Sequence, residues 1–239
     1  MRRRETTMLT AAIFDVDGVL LASPHERAWR DALIGFGDAD QFTTAIYQAE
    51  VAGKPRLDGA RSALEALGVS QARRHAIAYA ERKQSRLEEL IQTGTIAAFP
   101  DALRFVEAVA GLGWPMAVAS SSRNANDMMR PIILSTGQSL LDVFRVNVCG
   151  RDLKHGKPDP ELFLIAAAEL GVSPARCFVA EDAPAGIAAA RAGGMAALGV
   201  ARLGDVEQLR AARADLVVTS LDDVVIADLA LGRLVGLTP

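Results

Sequence analysis

Residues 13–21 read IFDVDGVLL, and the interpretation of the whole chain starts from this stretch. An apolar, strand-like run ends at Asp15, and a single valine separates that carboxylate from Asp17 and the glycine after it. Two carboxylates this close together repel each other and are costly to remove from water. Their place at the end of a buried strand therefore predicts that something else in the site offsets their charge.

The composition is that of a globular protein. The chain has 239 residues, half of them apolar, which is enough for one large domain or a domain with an insertion. A formal net charge of -3 gives no electrostatic reason to expect nucleic acid or a membrane as a partner. The apolar stretch after the basic opening MRRRETTM is too short for a signal peptide or a membrane span. We therefore expect a cytoplasmic protein. We also expect a monomer, although the sequence says little about oligomeric state.

Cysteine and histidine contribute little to the predicted chemistry. Cys149 and Cys177 lie in or beside apolar runs, so we interpret both as reduced core residues. The three histidines are scattered along the chain, which does not favour a histidine-based metal site.

Short apolar runs recur along the chain and predict strands, and helical patterns separate the later runs. One helical pattern carries clear end signals: Asp159 suits the N-cap, Pro160 the first helical position and Gly171 the C-terminal stop. Strands that alternate with helices and are apolar on both faces predict a parallel sheet covered on both sides, in the α/β class. The predicted strands are 9–14, 116–120, 146–149, 177–180, 196–200 and 215–218, and the helices between the later ones are 101–113, 159–171 and 184–194.

One region interrupts the alternation of strands and helices. Between residues 24 and 98 we find helical patterns and no convincing strand. We therefore expect an all-helical insertion after the first strand of the α/β core. The helical segments read HERAWRDALIGFG, FTTAIYQAEVAG, GARSALEALG and SQARRHAIAYAERKQSRLEELIQTG.

Polar side chains follow four of the predicted strands. Ligands of an open parallel sheet bind beyond the carboxyl ends of its strands, so we expect these side chains to share one crevice. Several carboxylates with oxygen-only donors indicate Mg2+, and a lysine with hydroxyls beside that ion suits a phosphate group. The groups are Asp15 and Asp17, then Ser120, Ser121, Ser122, Arg123 and Asn124, then Lys157, then Glu181 and Asp182.

Each of these elements also has a purely structural interpretation. The D-x-D-G stretch could be a turn, and the serines could cap a helix. The GKPDPE stretch could be a loop with an N-cap, and Glu181 and Asp182 could be the solvated start of a helix. Their joint occurrence after successive strands favours a catalytic crevice.

The motifs DVDGV, ASSS, GKPDPE and AED occur in this order and resemble the four motifs of the haloacid dehalogenase superfamily of phosphotransferases. The resemblance covers nearly the whole chain. It implies a Rossmann-like, doubly wound core formed by residues 1–23 and 99–239, with a mobile helical cap formed by residues 24–98.

The resemblance also implies roles for individual residues. Asp15 would attack phosphorus and become an aspartyl phosphate, and Asp17 would protonate the leaving oxygen and then activate the next acceptor. Ser120 would hydrogen-bond the transferred phosphoryl group, and Lys157 would hold Asp15 ionised and in place. The implied ligands of Mg2+ are Asp15, Asp17, Glu181 and Asp182.

The cap is similar to that of the β-phosphoglucomutase branch. In that branch a second phosphate site is needed, and Arg56, Lys83, Ser122 and Arg123 would form it here. The alternative is that Arg56 and Lys83 are solvated charges on helical surfaces and that His25 merely starts a helix. The implied substrate-binding residues are His25, Gly53, Arg56, Lys83, Ser121, Ser122, Arg123 and Asn124.

Departures from the branch bear on the reaction. Ala22 and Ser23 stand where the branch has Asp-Ser, and the hinge before His25 is shorter, which could alter how His25 restrains Asp17. We therefore predict a Mg2+-dependent phosphatase of small sugar phosphates, with isomerisation of the β-phosphoglucomutase type as the alternative. True dehalogenases of the superfamily lack the second aspartate, and the intact motifs argue against an inactive binding protein.

Overall fold

The computed structural model describes residues 8–93 and 96–237. Residues 1–7, 94, 95, 238 and 239, which the predicted core and cap ranges include, lie outside the described residues. The six predicted strands are all present: β1 (Ala11–Phe14), β4 (Met116–Val118), β5 (Val146–Asn147), β6 (Cys177–Glu181), β7 (Ala196–Val200) and β8 (Leu216–Val218). They form one parallel sheet in the order β5-β4-β1-β6-β7-β8. A separate antiparallel ribbon consists of β2 (Leu21–Ala22) and β3 (Ala97–Ala98).

The sheet is covered on both faces, as the apolar runs predict. In β1, Ala12 and Phe14 point into one hydrophobic cluster, and Ala11 and Ile13 point into the other. All four side chains are fully buried, which explains why the strand reads as a continuous apolar run. The first cluster includes α5 (Pro100–Gly111), α6 (Ala125–Met129) and α10 (Ile226–Ala230), and the second includes α7 (Glu161–Leu170), α8 (Pro184–Ala192) and α9 (Val206–Ala211).

The helical insertion has a hydrophobic core of its own. Trp29 and Tyr79 pack with ring centroids 5.1 Å apart, and the Tyr79 hydroxyl donates a hydrogen bond of 2.9 Å to the Trp29 carbonyl. A π-helical segment, Tyr47–Val51, lies among these helices. The α-helices are α1 (His25–Ala32), α2 (Thr44–Ile46), α3 (Arg56–Ala66) and α4 (Ala72–Thr93).

Two local predictions need correction. We expected no strand between residues 24 and 98, but β3 pairs antiparallel with β2 where the two connections to the insertion meet. A two-residue strand is too short to show a periodic pattern. Helix α7 begins at Glu161 with Pro160 at the N-cap, one residue later than predicted, and Asp159 Oδ1 still accepts a hydrogen bond of 2.9 Å from the Glu161 amide.

The C-terminal end of α7 agrees with the sequence prediction. Gly171 ends α7 in the left-handed conformation, with φ of 72°. Cys149 is half-buried, Cys177 is buried, and both are free thiols. Across residues 8–93 and 96–237, none of the helices has the length and apolarity that crossing a membrane requires.

Candidate active site

The carboxyl ends of the central strands bring the predicted residues together. Strand β1 lies between β4 and β6, so Asp15, directly after β1, is next to Ser120 and Glu181 at the ends of the flanking strands. The Asp15 amide donates a hydrogen bond of 3.0 Å to the Ala180 carbonyl, which extends the ladder by one residue. The backbone of the sheet therefore fixes where the first carboxylate stands.

A buried lysine links two of the carboxylates. The Lys157 amine donates to Asp15 Oδ1 at 2.9 Å and to Glu181 Oε1 at 2.5 Å. All three side chains are almost completely buried. Although burial opposes it, the two neighbouring carboxylates raise the pKa of Lys157, so the amine is an ammonium at neutral pH.

One ammonium does not balance the negative charge of this cluster. Ligand oxygens of Asp15, Glu181 and Asp182 all lie within 4.8 Å of one another. Burial, and then repulsion between these carboxylates, raises the pKa of both Asp15 and Asp182. In addition, Asp17 Oδ1 is buried and accepts no hydrogen bond from the described residues.

These observations fit a divalent cation with oxygen ligands. Asp15, Asp17 and Asp182 would hold it through carboxylate or backbone oxygens, as Mg2+ prefers. Glu181 is placed differently, because one oxygen accepts from Lys157 and the other accepts from the Ala183 amide at 3.0 Å. Its share in binding the ion therefore remains a prediction.

Two glycines make room for the carboxylates. A Cβ atom at Gly18, whose φ is +79°, would lie 1.9 Å from Asp182 Oδ2. A Cβ atom at Gly186 would lie 1.8 Å from Glu181 Oε1. Any larger residue at either position would displace a carboxylate of the cluster.

The loop after β4 surrounds the predicted phosphoryl position with hydroxyl groups. Ser120 Oγ accepts a hydrogen bond of 3.0 Å from the Ser122 amide and donates toward Asp17 Oδ2 at 3.4 Å. Ser121 Oγ donates to the Gly53 carbonyl at 3.3 Å. This loop therefore contacts both Asp17 and the insertion.

His25 and Lys83 connect the insertion to Asp17. His25 Nε2 lies 3.5 Å from Asp17 Oδ1, and His25 Nδ1 lies 3.1 Å from the Lys83 amine. Lys83 is only 3% exposed, and its amine lies 5.0 Å from the centroid of the Trp29 ring. The interpretation of Lys83 as a solvated surface charge is therefore wrong.

Burial changes the ionisation of both groups. It lowers the pKa of His25 to about 4, against the effect of Asp17, so the imidazole is neutral at neutral pH. Burial also lowers the pKa of Lys83 to about 7, with Arg56 acting in the same direction and Asp17 opposing it. Lys83 is thus poised to gain a proton when an anion binds beside it.

One cavity joins most of the predicted residues, and it is small, about 60 Å³. The predicted residues that line it are Asp15, Asp17, His25, Gly53, Arg56, Lys83, Ser120, Ser121, Ser122, Asn124, Lys157 and Asp182. Arg123 does not line it: the guanidinium is exposed, donates to Asp152 at 2.6 Å and borders the adjoining hollow, which Arg56 also lines. Glu181 lies behind Lys157.

Sequence reasoning missed three polar residues of the cavity, Tyr47, Lys54 and Gln84. Tyr47 lies in the π-helical segment, and burial raises the pKa of its phenol well above the ordinary value, so the hydroxyl stays protonated. Gln84 exchanges two amide hydrogen bonds, of 3.2 and 3.4 Å, with Asn124 of the core. Gln84 directly follows the predicted residue Lys83 in the sequence, which is the one signal that could have found it, whereas a π-helix leaves no recognisable pattern.

The chain is similar to known proteins over nearly its whole length. A sequence profile of the haloacid dehalogenase-like hydrolases matches residues 9–194. The β-phosphoglucomutase of Mycobacterium tuberculosis is 35% identical, covering 90% of each chain, and hexitol phosphatase A of Escherichia coli is 31% identical, covering 90% of this chain and 92% of its own. The crystal structure of β-phosphoglucomutase from Clostridium difficile matches with a TM-score of 0.75 at 27% identity, covering 94% of this chain and 98% of that one.

Proposed function

The chain belongs to the haloacid dehalogenase-like hydrolases, in the branch that resembles β-phosphoglucomutase, and on that premise we propose that it transfers the phosphoryl group of a small sugar phosphate through Asp15. The observation that carries the proposal is the pairing of buried Lys157 with both Asp15 and Glu181 at the ends of adjacent parallel strands. This arrangement orients the Asp15 carboxyl group where a phosphate can reach it, and a bound cation would favour its ionised form.

The reaction would proceed in two displacements. In the first, an Asp15 oxygen bonds to phosphorus while the bond from phosphorus to the sugar oxygen breaks, and Asp17 gives that oxygen a proton. In the second, Asp17 takes the proton of an acceptor hydroxyl, whose oxygen bonds to phosphorus and releases Asp15. Bound Mg2+ would neutralise charge so that an anionic nucleophile can approach an anionic phosphate.

Lys157 and Ser120 form no bond to phosphorus in these steps, and each has a separate role. Lys157 keeps one Asp15 oxygen engaged at 2.9 Å and so orients the carboxylate. Ser120, held by the Ser122 amide, can donate to a phosphoryl oxygen when it is not bonded to Asp17. Because each of these groups comes from one chain, we propose that the enzyme is complete as a monomer, and we expect it in the cytoplasm.

We propose that residues 24–98 act as a cap over a core formed by residues 1–23 and 99–239. The cavity between them holds only about 60 Å³, which is room for a few water molecules. A sugar phosphate would enter only after the cap moves away. Closure would then exclude bulk water and bring cap residues onto the substrate.

For the acceptor, we propose a hydroxyl of a second sugar phosphate, with a sugar bisphosphate as the donor. Asp15 takes one phosphoryl group from the bisphosphate, which leaves as a monophosphate, and then passes that group to the free hydroxyl of the isomeric monophosphate, which becomes the next bisphosphate. The net reaction is an isomerisation of the β-phosphoglucomutase type. The shorter hinge raised the question whether His25 could still reach Asp17, and its Nε2 lies 3.5 Å from that carboxylate. Lys83 and Arg56 supply cations at the cap side of the same cavity, which a bisphosphate intermediate requires. Similarity to β-phosphoglucomutases over nearly the full chain supports this choice.

Hydrolysis, with water as the acceptor, is the second candidate. It is favoured by the position of Arg123, which binds Asp152 outside the cavity and leaves the second phosphate site one cation short of the predicted set. The 31% identity to a hexitol phosphatase over most of both chains agrees with this candidate.

Phosphorus NMR separates the two outcomes. The enzyme is incubated with β-glucose 1-phosphate, Mg2+ and a trace of glucose 1,6-bisphosphate. Isomerisation gives glucose 6-phosphate with little inorganic phosphate, whereas hydrolysis gives inorganic phosphate and glucose. If neither this sugar phosphate nor p-nitrophenyl phosphate reacts, and a panel of other sugar phosphates is also inert, phosphoryl transfer through Asp15 is refuted.

A further inference from the structure

The chain passes between core and insertion at two places that lie side by side. The outgoing connection runs from Asp17 through Gly18 and Val19 into β2, and the returning connection runs from β3 through Phe99 into α5. The Phe99 amide donates a hydrogen bond of 3.0 Å to the Leu20 carbonyl, so the two connections are bonded to each other. Any movement of the cap must be absorbed here.

A single arginine of the core touches both connections. Arg202 follows β7, and its side chain is only 13% exposed. Its guanidinium donates to the Val19 carbonyl at 3.2 Å and to the Gly18 carbonyl at 3.4 Å, both on the outgoing connection. On the returning connection it lies 3.9 Å from the centroid of the Phe99 ring and donates to Asp101 Oδ2 at 2.8 Å.

Asp101 fixes this arginine to the core. The same carboxylate oxygen accepts hydrogen bonds from the Leu221 amide at 2.8 Å and from the Ser220 hydroxyl at 3.1 Å. Although burial opposes them, these bonds and the one from Arg202 hold the pKa of Asp101 below its usual value. The pair is therefore ionised at neutral pH and anchored to the turn after β8.

The contact reaches the catalytic loop directly. Gly18 follows Asp17 in the chain, and its left-handed conformation places its backbone against the Asp182 carboxylate. By binding the Gly18 and Val19 carbonyls, Arg202 therefore fixes the backbone directly after Asp17. The ribbon of β2 and β3 can then bend with the cap without moving Asp17. The planar fork of arginine suits this role, because one group can bind two carbonyls and a carboxylate at fixed angles.

We propose that Arg202, held by Asp101, is a positioning residue that clamps the hinge and keeps Asp17 aligned for proton transfer while the cap moves. The proposal rests on the proposed function, since it assigns Asp17 as the general acid. A purely structural ion pair would affect stability without affecting one chemical step more than another.

The leaving group distinguishes these roles. In the first displacement a sugar alkoxide needs a proton from Asp17, whereas p-nitrophenolate leaves without one. Arg202→Lys should therefore lower kcat/KM for β-glucose 1-phosphate by about tenfold or more, because a misplaced general acid loses part of its contribution. For p-nitrophenyl phosphate the value should change less than about threefold, as no proton is required.

Arg104→Lys is the matched control. Arg104 makes a two-bond pair with Asp222 near the same turn, but it is exposed and does not contact the hinge in the described residues. It should leave both substrates unaffected. Hydrogen–deuterium exchange provides a readout besides activity: Arg202→Lys should speed exchange of the amides in residues 18–22 and 97–101, and Arg104→Lys should not.

Each result decides the question. Equal losses on both substrates with unchanged exchange at the hinge would reduce Arg202 to a stabilising ion pair and overturn the proposal. If the wild-type enzyme transfers the phosphoryl group of no phosphate ester, the proposed function fails, and the exchange data alone still establish or refute the clamp. If Arg202→Lys does not fold, Asp101→Asn, which keeps the hydrogen-bonding shape, takes its place with the same expected pattern.

Discussion

His25 and Asp17 face each other across the hinge, with Nε2 of the imidazole 3.5 Å from Oδ1 of the carboxylate. The other imidazole nitrogen faces the Lys83 amine at 3.1 Å, and that amine is a donor. Neutral His25 must then accept at Nδ1 and carry its proton on Nε2, toward Asp17. The two atoms are not hydrogen-bonded in this structure, but a small rotation of the imidazole would let Nε2 donate to Asp17 and hold it in place before a substrate arrives.

From this relationship we predict that His25→Gln shifts the balance of products. Without the imidazole, Asp17 is free to activate water, so the ratio of inorganic phosphate to sugar phosphate product should rise by about tenfold, the worth of one hydrogen bond to a charged group. Phosphorus NMR measures the ratio. His75→Gln, on the insertion and packed on Phe36, is the control and should leave it unchanged. No change in His25→Gln would contradict a restraining role.

Asp15→Asn should abolish turnover while the fold persists. The amide has nearly the same shape but cannot attack phosphorus, so activity should fall by more than about a hundredfold. Burial raises the pKa of Asp15, which means that this carboxyl group lowers the stability of the folded protein at neutral pH when no cation is bound. The amide carries no charge, so the thermal midpoint without Mg2+ should not decrease. Mass spectrometry after mixing with substrate should detect a phosphorylated wild-type chain and an unmodified variant. Retained activity would exclude Asp15 as the nucleophile.

Mg2+ should stabilise the folded protein, and Asp182 should be required for this. A cation that binds only the folded state raises the thermal midpoint by mass action. Asp182→Asn removes a carboxylate from the cluster within 4.8 Å and should weaken Mg2+ binding by at least about tenfold. Scanning calorimetry with and without Mg2+ measures this, and Asp142→Asn, an exposed aspartate, is the control. Activity that survives chelation by EDTA would refute the metal site.

Lys83 should make bisphosphate binding depend on pH. Its pKa of about 7 in the free protein should rise when an anionic phosphate binds beside it. Affinity is then greatest below pH 7 and weakens by up to about tenfold per unit as the pH rises above 7, because binding must take up a proton. Titration calorimetry with glucose 1,6-bisphosphate in the Asp15→Asn background tests this.

Two variants control the pH experiment. Lys83→Met should flatten the profile, and Lys154→Met, which removes an exposed amine, should keep the wild-type profile. A steep profile in Lys83→Met would assign the pH dependence to the phosphate or to another residue.

The strands and the order of the catalytic groups could be predicted because both depend on local sequence. Residues 11–14 are apolar on both faces since helices cover both sides of β1, and Asp15 follows because parallel strands end at the site. Nothing local distinguishes Lys83 from the exposed charges beside it in ERKQSR. Its burial depends on Trp29 and His25, which are far away in the sequence.

Arg202 was beyond sequence reasoning for the same reason. It lies in a short loop after β7, where an arginine is unremarkable, and its partners come from the hinge and from Asp101. The π-helical segment that places Tyr47 in the cavity includes a hydrogen bond from the Ala52 amide to the Tyr47 carbonyl, five residues back along the chain, which no local pattern predicts. Such contacts become visible only once the insertion is folded onto the core.

The contacts between Gln84 and Asn124, and between Ser121 and the Gly53 carbonyl, have a consequence for substrate choice. These are neutral hydrogen bonds, each worth only about 1 kcal/mol net, so they favour the closed cap weakly. A substrate whose far end carries an anion can bind Arg56 and Lys83, and this shifts the equilibrium between the open and closed cap toward the closed state. A short phosphate ester does not reach these two cations, so the cap would be open during most of its encounters with the enzyme. The fraction of time that the cap is closed would thus depend on the length of the bound substrate, and the enzyme would select substrates by that length.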